Sequence, residues 1–148
     1  MEMVIGMGRK RTGNRLPNFV PLFWDILNHK AYINLSPSAA KLLPYFLGKV
    51  KINPKNSEYY KTTFSFTYSE AENYGCSRRT FYNVVTALVQ YGFLDPVKRG
   101  GLRGMNMTSS IFRLSDRWKQ YGNASFVEVK WNTFGMHQIQ KMVGRQGK

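Results

Sequence analysis

Two stretches of the chain repeat apolar residues at the spacing of one helix face, and each follows a residue able to start a helix. In the first, Ala39, Leu42, Leu43, Phe46, Leu47 and Val50 recur three or four residues apart. Ser36-Pro37 precedes them: Ser accepts an unpaired N–H at the cap, and Pro loses no bond at the first helical position. Pro44 lies inside this run, so a kink or a split is expected there. In the second, Phe81, Val84, Val85 and Leu88 fall at i, i+3, i+4 and i+7 behind the cap residue Ser77. Between the two, Thr67 and Glu70 have the spacing of a capping box and predict a helix through Asn73 or Tyr74, ended by Gly75.

The remaining pattern is shorter. Pro21 suits the first position of a helical segment carrying Leu22, Phe23, Ile26 and Leu27. Residues 53–61 are polar and read as a loop. Phe64 and Phe66 alternate with Ser and Thr over 63–67, the period of a strand. Tyr91-Gly92 closes the second long helix, and strand-like segments at 93–98 and 110–114 follow, separated by a glycine-rich basic loop. Residues 115–118 open a further short helix, and 126–131 read as one more strand. The chain thus divides into a basic, glycine-containing arm (1–18), a folded domain (19–121) and a C-terminal extension (122–148) ending in a basic tail.

Composition narrows the function. The 148 residues suit one domain, and 43% hydrophobic with 15% aromatic residues is enough for a core. With 22 Lys+Arg against 8 Asp+Glu, the net charge of +14 calls for an acidic partner. Lys and Pro interrupt every apolar run short of a membrane span, and the first cations follow a very short apolar run, the reverse of a secretory signal. A cytoplasmic, nucleoid-associated location is expected, with no membrane partner. Cys76 is the one cysteine, and His29 and His137 the two histidines, so neither a disulfide nor a usual zinc cluster can be assembled. No metal or cofactor is expected.

A short helix, a glycine turn, a second helix and a hairpin with a basic loop follow one another in the order of a winged helix-turn-helix. The segments "TYSEAENYG", "CS", "RRTFYNVVTALVQYG" and "GFL" resemble that family. "FVPLFWDILNHKAYINLSPSAAKLLPYFL" before them and "SSIFRLSDRWKQYG" after them are similar to helix-turn-helix proteins of phages, plasmids and integrated mobile elements, some of which are replication initiators. The resemblance covers about residues 19–121. It implies a mostly helical α+β fold with a small antiparallel wing sheet, and sequence-specific binding of double-stranded DNA in replication initiation or transcription regulation. It also implies no catalysis. A second copy of the chain and the replication or transcription machinery are the further partners it suggests.

The residues support DNA recognition on their own terms. If Phe81, Val84, Val85 and Leu88 face a core, then Arg79, Tyr82, Asn83 and Thr86 form an outward stripe. Arg reads the O6/N7 edge of guanine and Asn the N6/N7 edge of adenine, while Thr and Tyr reach phosphates or a thymine methyl. Ser77, Arg78 and Thr80 stand at the same helix end, with Arg78 placed for a phosphate. Cations oppose the macrodipole there, so an anion in a complex would relieve a cost that structure alone gives no reason to bear. Lys98, Arg99 and Arg103, among Gly100, Gly101 and Gly104, form a wing tip able to follow a phosphate backbone or a narrow minor groove. Arg9, Lys10, Arg11 and Arg15 give the arm a similar role. Cys76 reads as a small packed residue. Trp24, Trp118 and Trp131 read as core or interface anchors.

The sequence is also compatible with three other classes: an RNA-binding or ribosome-associated basic protein, a winged helix used to bind protein, and a small nuclease. The last is disfavoured by few, scattered carboxylates. Tyr59-Tyr60 resembles the tyrosines of nicking enzymes but lacks their closely spaced histidine pair.

Overall fold

The computed structural model describes residues 17–100, 102–103, 106–107 and 109–133. Its helices are α1 (Trp24–Leu27), α2 (Lys30–Ile33), α3 (Pro37–Leu47), α4 (Tyr68–Asn73) and α5 (Arg78–Gln90). Its strands are β1 (Thr63–Ser65), β2 (Leu94–Lys98), β3 (Leu102–Arg103), β4 (Asn106–Met107) and β5 (Ile111–Leu114). The fold is α+β. β5 lies between β1 and β2 in an antiparallel sheet, and β3 pairs with β4 in a two-stranded ribbon. Pro96 sits in edge strand β2, where the missing N–H costs no ladder bond to a further strand, and the β2–β5 register shifts just beyond it.

Capping chemistry sets the main helices. The Ser36 hydroxyl accepts the Ala39 N–H at 3.3 Å to open α3. Thr67 and Glu70 form the complete capping box of α4, with Glu70 N–H on Thr67 Oγ1 at 3.2 Å and Thr67 N–H on Glu70 Oε1 at 3.1 Å. Gly75, at φ +89°, then reverses the chain toward α5.

Phe46 of α3 stacks on Phe66 at 4.0 Å and meets Phe112 of β5 edge-on at 6.0 Å, joining helix to sheet. Leu42, Leu43, Val84, Leu88, Val89 and Leu94 complete the fully buried centre.

Several expectations change. Pro44 does not split α3, which runs unbroken to Leu47; Leu42, Leu43, Phe46 and Leu47 are all buried, and their packing offsets the lost bond to the Ala40 carbonyl. Val50 lies beyond that helix. Pro21 stays outside α1, which begins at Trp24, and α2 follows with the His29 ring accepting the Ala31 N–H at 3.1 Å. Residues 53–61 are not wholly loop: Asn56 caps a 3-10 turn at Ser57–Lys61. The helix expected at 115–118 is a 3-10 turn, Arg117–Gln120.

The strand expected at 126–131 is absent. The carbonyls of that segment and of the turn after it accept from side chains instead of a ladder: Val127 from Arg117 at 2.9 Å, and Trp131 and Asn132 from Arg99 at 3.2 and 3.0 Å. Trp131 is 6% exposed and packs on Phe112 at 5.4 Å, so the core includes residues past 121.

Arg117 organises the end of α5. Its guanidinium donates to the Val89 carbonyl (2.9 Å), the Leu94 carbonyl (2.8 Å) and Asp95 Oδ1 (2.6 Å), besides Val127. Gly92, at φ +93°, lets the chain pass so close that a Cβ there would lie 2.5 Å from the Trp118 nitrogen.

Candidate nucleic-acid interface

α5 is amphipathic in the way its spacing predicted. Val84, Val85, Leu88 and Val89 are buried, Phe81 is half-buried, and Arg78, Arg79, Tyr82 and Asn83 are exposed. Turns of 3.6 residues put Arg79, Tyr82 and Asn83 on one face, with the core directly behind them.

The other expected members of this surface are engaged locally. The Ser77 hydroxyl accepts the Thr80 N–H at 3.1 Å and donates to Thr80 Oγ1 at 3.0 Å, so Ser77 is committed to the cap. Thr86 is half-buried and its hydroxyl donates back to the Tyr82 carbonyl at 2.8 Å, which leaves the methyl group as its outward chemistry. Arg78 extends over the ring of Tyr68, 4.3 Å from its centroid.

The basic residues of the hairpin separate. Lys98 is exposed at the end of β2. Arg99 is drawn away from the tip, its guanidinium bonded to two carbonyls of the C-terminal segment and 5.1 Å from the Trp131 ring. The side chain of Arg103 lies outside the described residues, as do Arg9, Lys10, Arg11 and Arg15.

Three carboxylates have partners elsewhere: Glu70 with Lys49, Glu58 with Lys61 at 3.3 Å, and Asp95 with Arg117. Burial pushes the Glu70 carboxyl up, but the Lys49 ammonium and the Thr67 amide and hydroxyl outweigh it and hold the group below its ordinary range. Among the described residues Arg79 has no carboxylate partner, so its charge faces solvent uncompensated.

No family model matches the chain, and comparisons with curated proteins and with solved structures find no match. Among the described residues no group of three or more His, Cys, Asp or Glu could hold a metal ion, and no helix is long and apolar enough to cross a membrane. Cys76 is buried in the turn between α4 and α5. Trp118 and Trp131 are core residues, while Trp24 is 74% exposed.

Sequence reasoning missed Tyr68 and Lys41. Tyr68 opens α4 and touches Arg78 across the turn. The Lys41 ammonium, on α3, lies 3.5 Å from the Cβ position of Gly75 and adds a cation beside the start of α5. Neither contact has a signal in spacing, because each joins residues that are neighbours only once the helices pack.

Proposed function

We propose that the chain is a winged helix-turn-helix protein that binds double-stranded DNA with α5 in the major groove. One observation carries the reading: Arg79, Tyr82 and Asn83 stand side by side on the solvent face of a helix whose opposite face is core. Those side chains suit base edges and phosphates, and a helix held from behind can present them without reordering. The element order lends support, since α3, β1, α4, α5, β2, the β3–β4 ribbon and β5 follow one another as in that motif, with β5 central. Arg78, Lys98 and Lys41 serve the phosphates in this reading, joined by Arg103 at the ribbon and by the arm cations; Arg99 is left out because it holds the C-terminal segment. Replication initiation or regulation in a phage, plasmid or mobile element is the proposed setting, and it rests on the resemblance alone.

Selection of bound duplexes from a random pool at physiological salt tests the proposal, followed by affinity against salt. An enriched motif is expected, palindromic if two chains pair. Engagement of about six phosphates gives a log–log slope of about −5. No enrichment with a flat slope overturns the reading, and displacement of duplex by structured RNA at fixed salt transfers it to RNA.

A further inference from the structure

Beside α1 and the 3-10 turn Ser57–Lys61 lies a cavity of about 390 Å³, within the range of small-molecule sites. None of the α5 stripe lines it. We propose that this cavity binds a small, uncharged, planar aromatic molecule carrying a hydrogen-bond acceptor. The inference is independent of DNA binding.

The lining argues for each part of that description. Phe93 and Trp118 stack nearly parallel, 16° apart with centroids at 5.9 Å, and form one wall. Tyr59 and Tyr60, 4.4 Å apart, form another. Flat rings on two sides favour a flat occupant. Trp24 also lines the cavity and is 74% exposed, a large indole that the core does not claim. Asp25 and Lys119 line it with opposite signs, so neither a cation nor an anion is selected. The remaining contacts are mainly apolar, and Ile52 and Leu47 are among them.

The acceptor follows from the tyrosines. Burial foremost, then the Tyr59 hydroxyl and the charge of Asp116, raise the Tyr60 hydroxyl above its ordinary range, and it stays protonated. Tyr60 lines the cavity beside Tyr59, so its protonated hydroxyl belongs to the wall. A phenol O–H is a donor, and there it can donate to a ligand oxygen or nitrogen.

Prodan, a neutral naphthyl ketone dye whose emission reports its surroundings, is a suitable probe for the full chain. Saturable binding of one dye per chain is expected, with a dissociation constant on the order of 10 µM. In proton–nitrogen spectra the indole signals of Trp24 and Trp118 should shift on titration, while that of Trp131, outside the cavity, should not. Ile52→Trp should fill the space and weaken binding at least about tenfold, and Tyr60→Phe should weaken it several-fold by removing the donor. If Ile52→Trp fails to fold, the indole shifts and Tyr60→Phe decide. Emission that rises without saturation, shifts shared equally by all three indoles, or full affinity in Tyr60→Phe together with a folded Ile52→Trp would overturn the proposal.

Discussion

The Arg78 guanidinium rests 4.3 Å from the centroid of Tyr68, so the first residue of α5 is held by the first residue of α4. A cation at a helix N-terminus opposes the macrodipole by about 0.3–1 kcal/mol, and a cation–π contact at an exposed site returns about 0.5–1 kcal/mol. Arg78 is therefore compensated inside the free protein. Arg79, one residue on and exposed, has no such contact among the described residues, which leaves its charge open to an external anion or base edge.

This separates the two arginines experimentally. Arg79→Ala should relax discrimination at one base pair by about 1–3 kcal/mol, whereas Arg78→Ala should weaken all duplexes alike and reduce the salt slope by about 1. Competition between the selected duplex and its single-base variants measures both. Uniform loss in both variants would remove base reading from Arg79.

Gly92 and Gly75 share a positive φ but differ in surroundings. At Gly75 an added Cβ meets the end of the flexible Lys41 side chain at 3.5 Å; at Gly92 it meets the backbone of Arg117 and Trp118 at 2.8 and 2.5 Å. Gly75→Ala should cost about 1 kcal/mol from φ alone, and Gly92→Ala clearly more, about 3 kcal/mol or beyond. Urea unfolding of both variants provides the comparison.

Arg117 joins α5, β2 and the 126–131 segment through four acceptors. Arg117→Ala strands Asp95 and the Val89 and Leu94 carbonyls in a partly buried place, and should lower stability by about 3 kcal/mol. Arg117→Lys should recover little, since a single ammonium cannot span the same fan of acceptors. Thermal unfolding would show this as a fall of about 12 °C or more for a domain of this size.

The Glu70 carboxyl is held below 4.5 when folded, so its contribution is present at neutral pH and is lost as pH falls through the depressed value. Glu70→Gln keeps an oxygen for the capping box but loses the carboxylate charge, and should be less stable than the natural chain at pH 7 by up to about 1 kcal/mol, for the Lys49 pair. The difference should shrink steadily on acidification below pH 4.5. A gap independent of pH would show that the charge of Glu70 contributes nothing.

The elements legible beforehand are those whose cause is local. Ser36, Thr67 with Glu70, and Ser77 each cap a helix through a neighbour three residues away, and the apolar period of α5 needs only its own turn to define a buried face. The outward stripe followed from the same geometry. The 126–131 segment misled because its residues favour a strand, yet it pairs with neither outer strand of the sheet, and arginines take up its Val127 and Trp131 carbonyls.

By itself, then, the amino-acid sequence determined where α3, α4 and α5 begin, which face of α5 is covered, and that the chain carries a large positive charge. Tertiary structure alone decided that α3 continues through Pro44, that Arg99 and Arg117 serve the fold, that Trp131 completes the core and that Tyr68 holds Arg78. The physical reason is range. Caps and helical periods act over three or four residues, whereas these contacts join groups from 10 positions apart (Tyr68 and Arg78) to 66 (Phe46 and Phe112), which packing alone brings together.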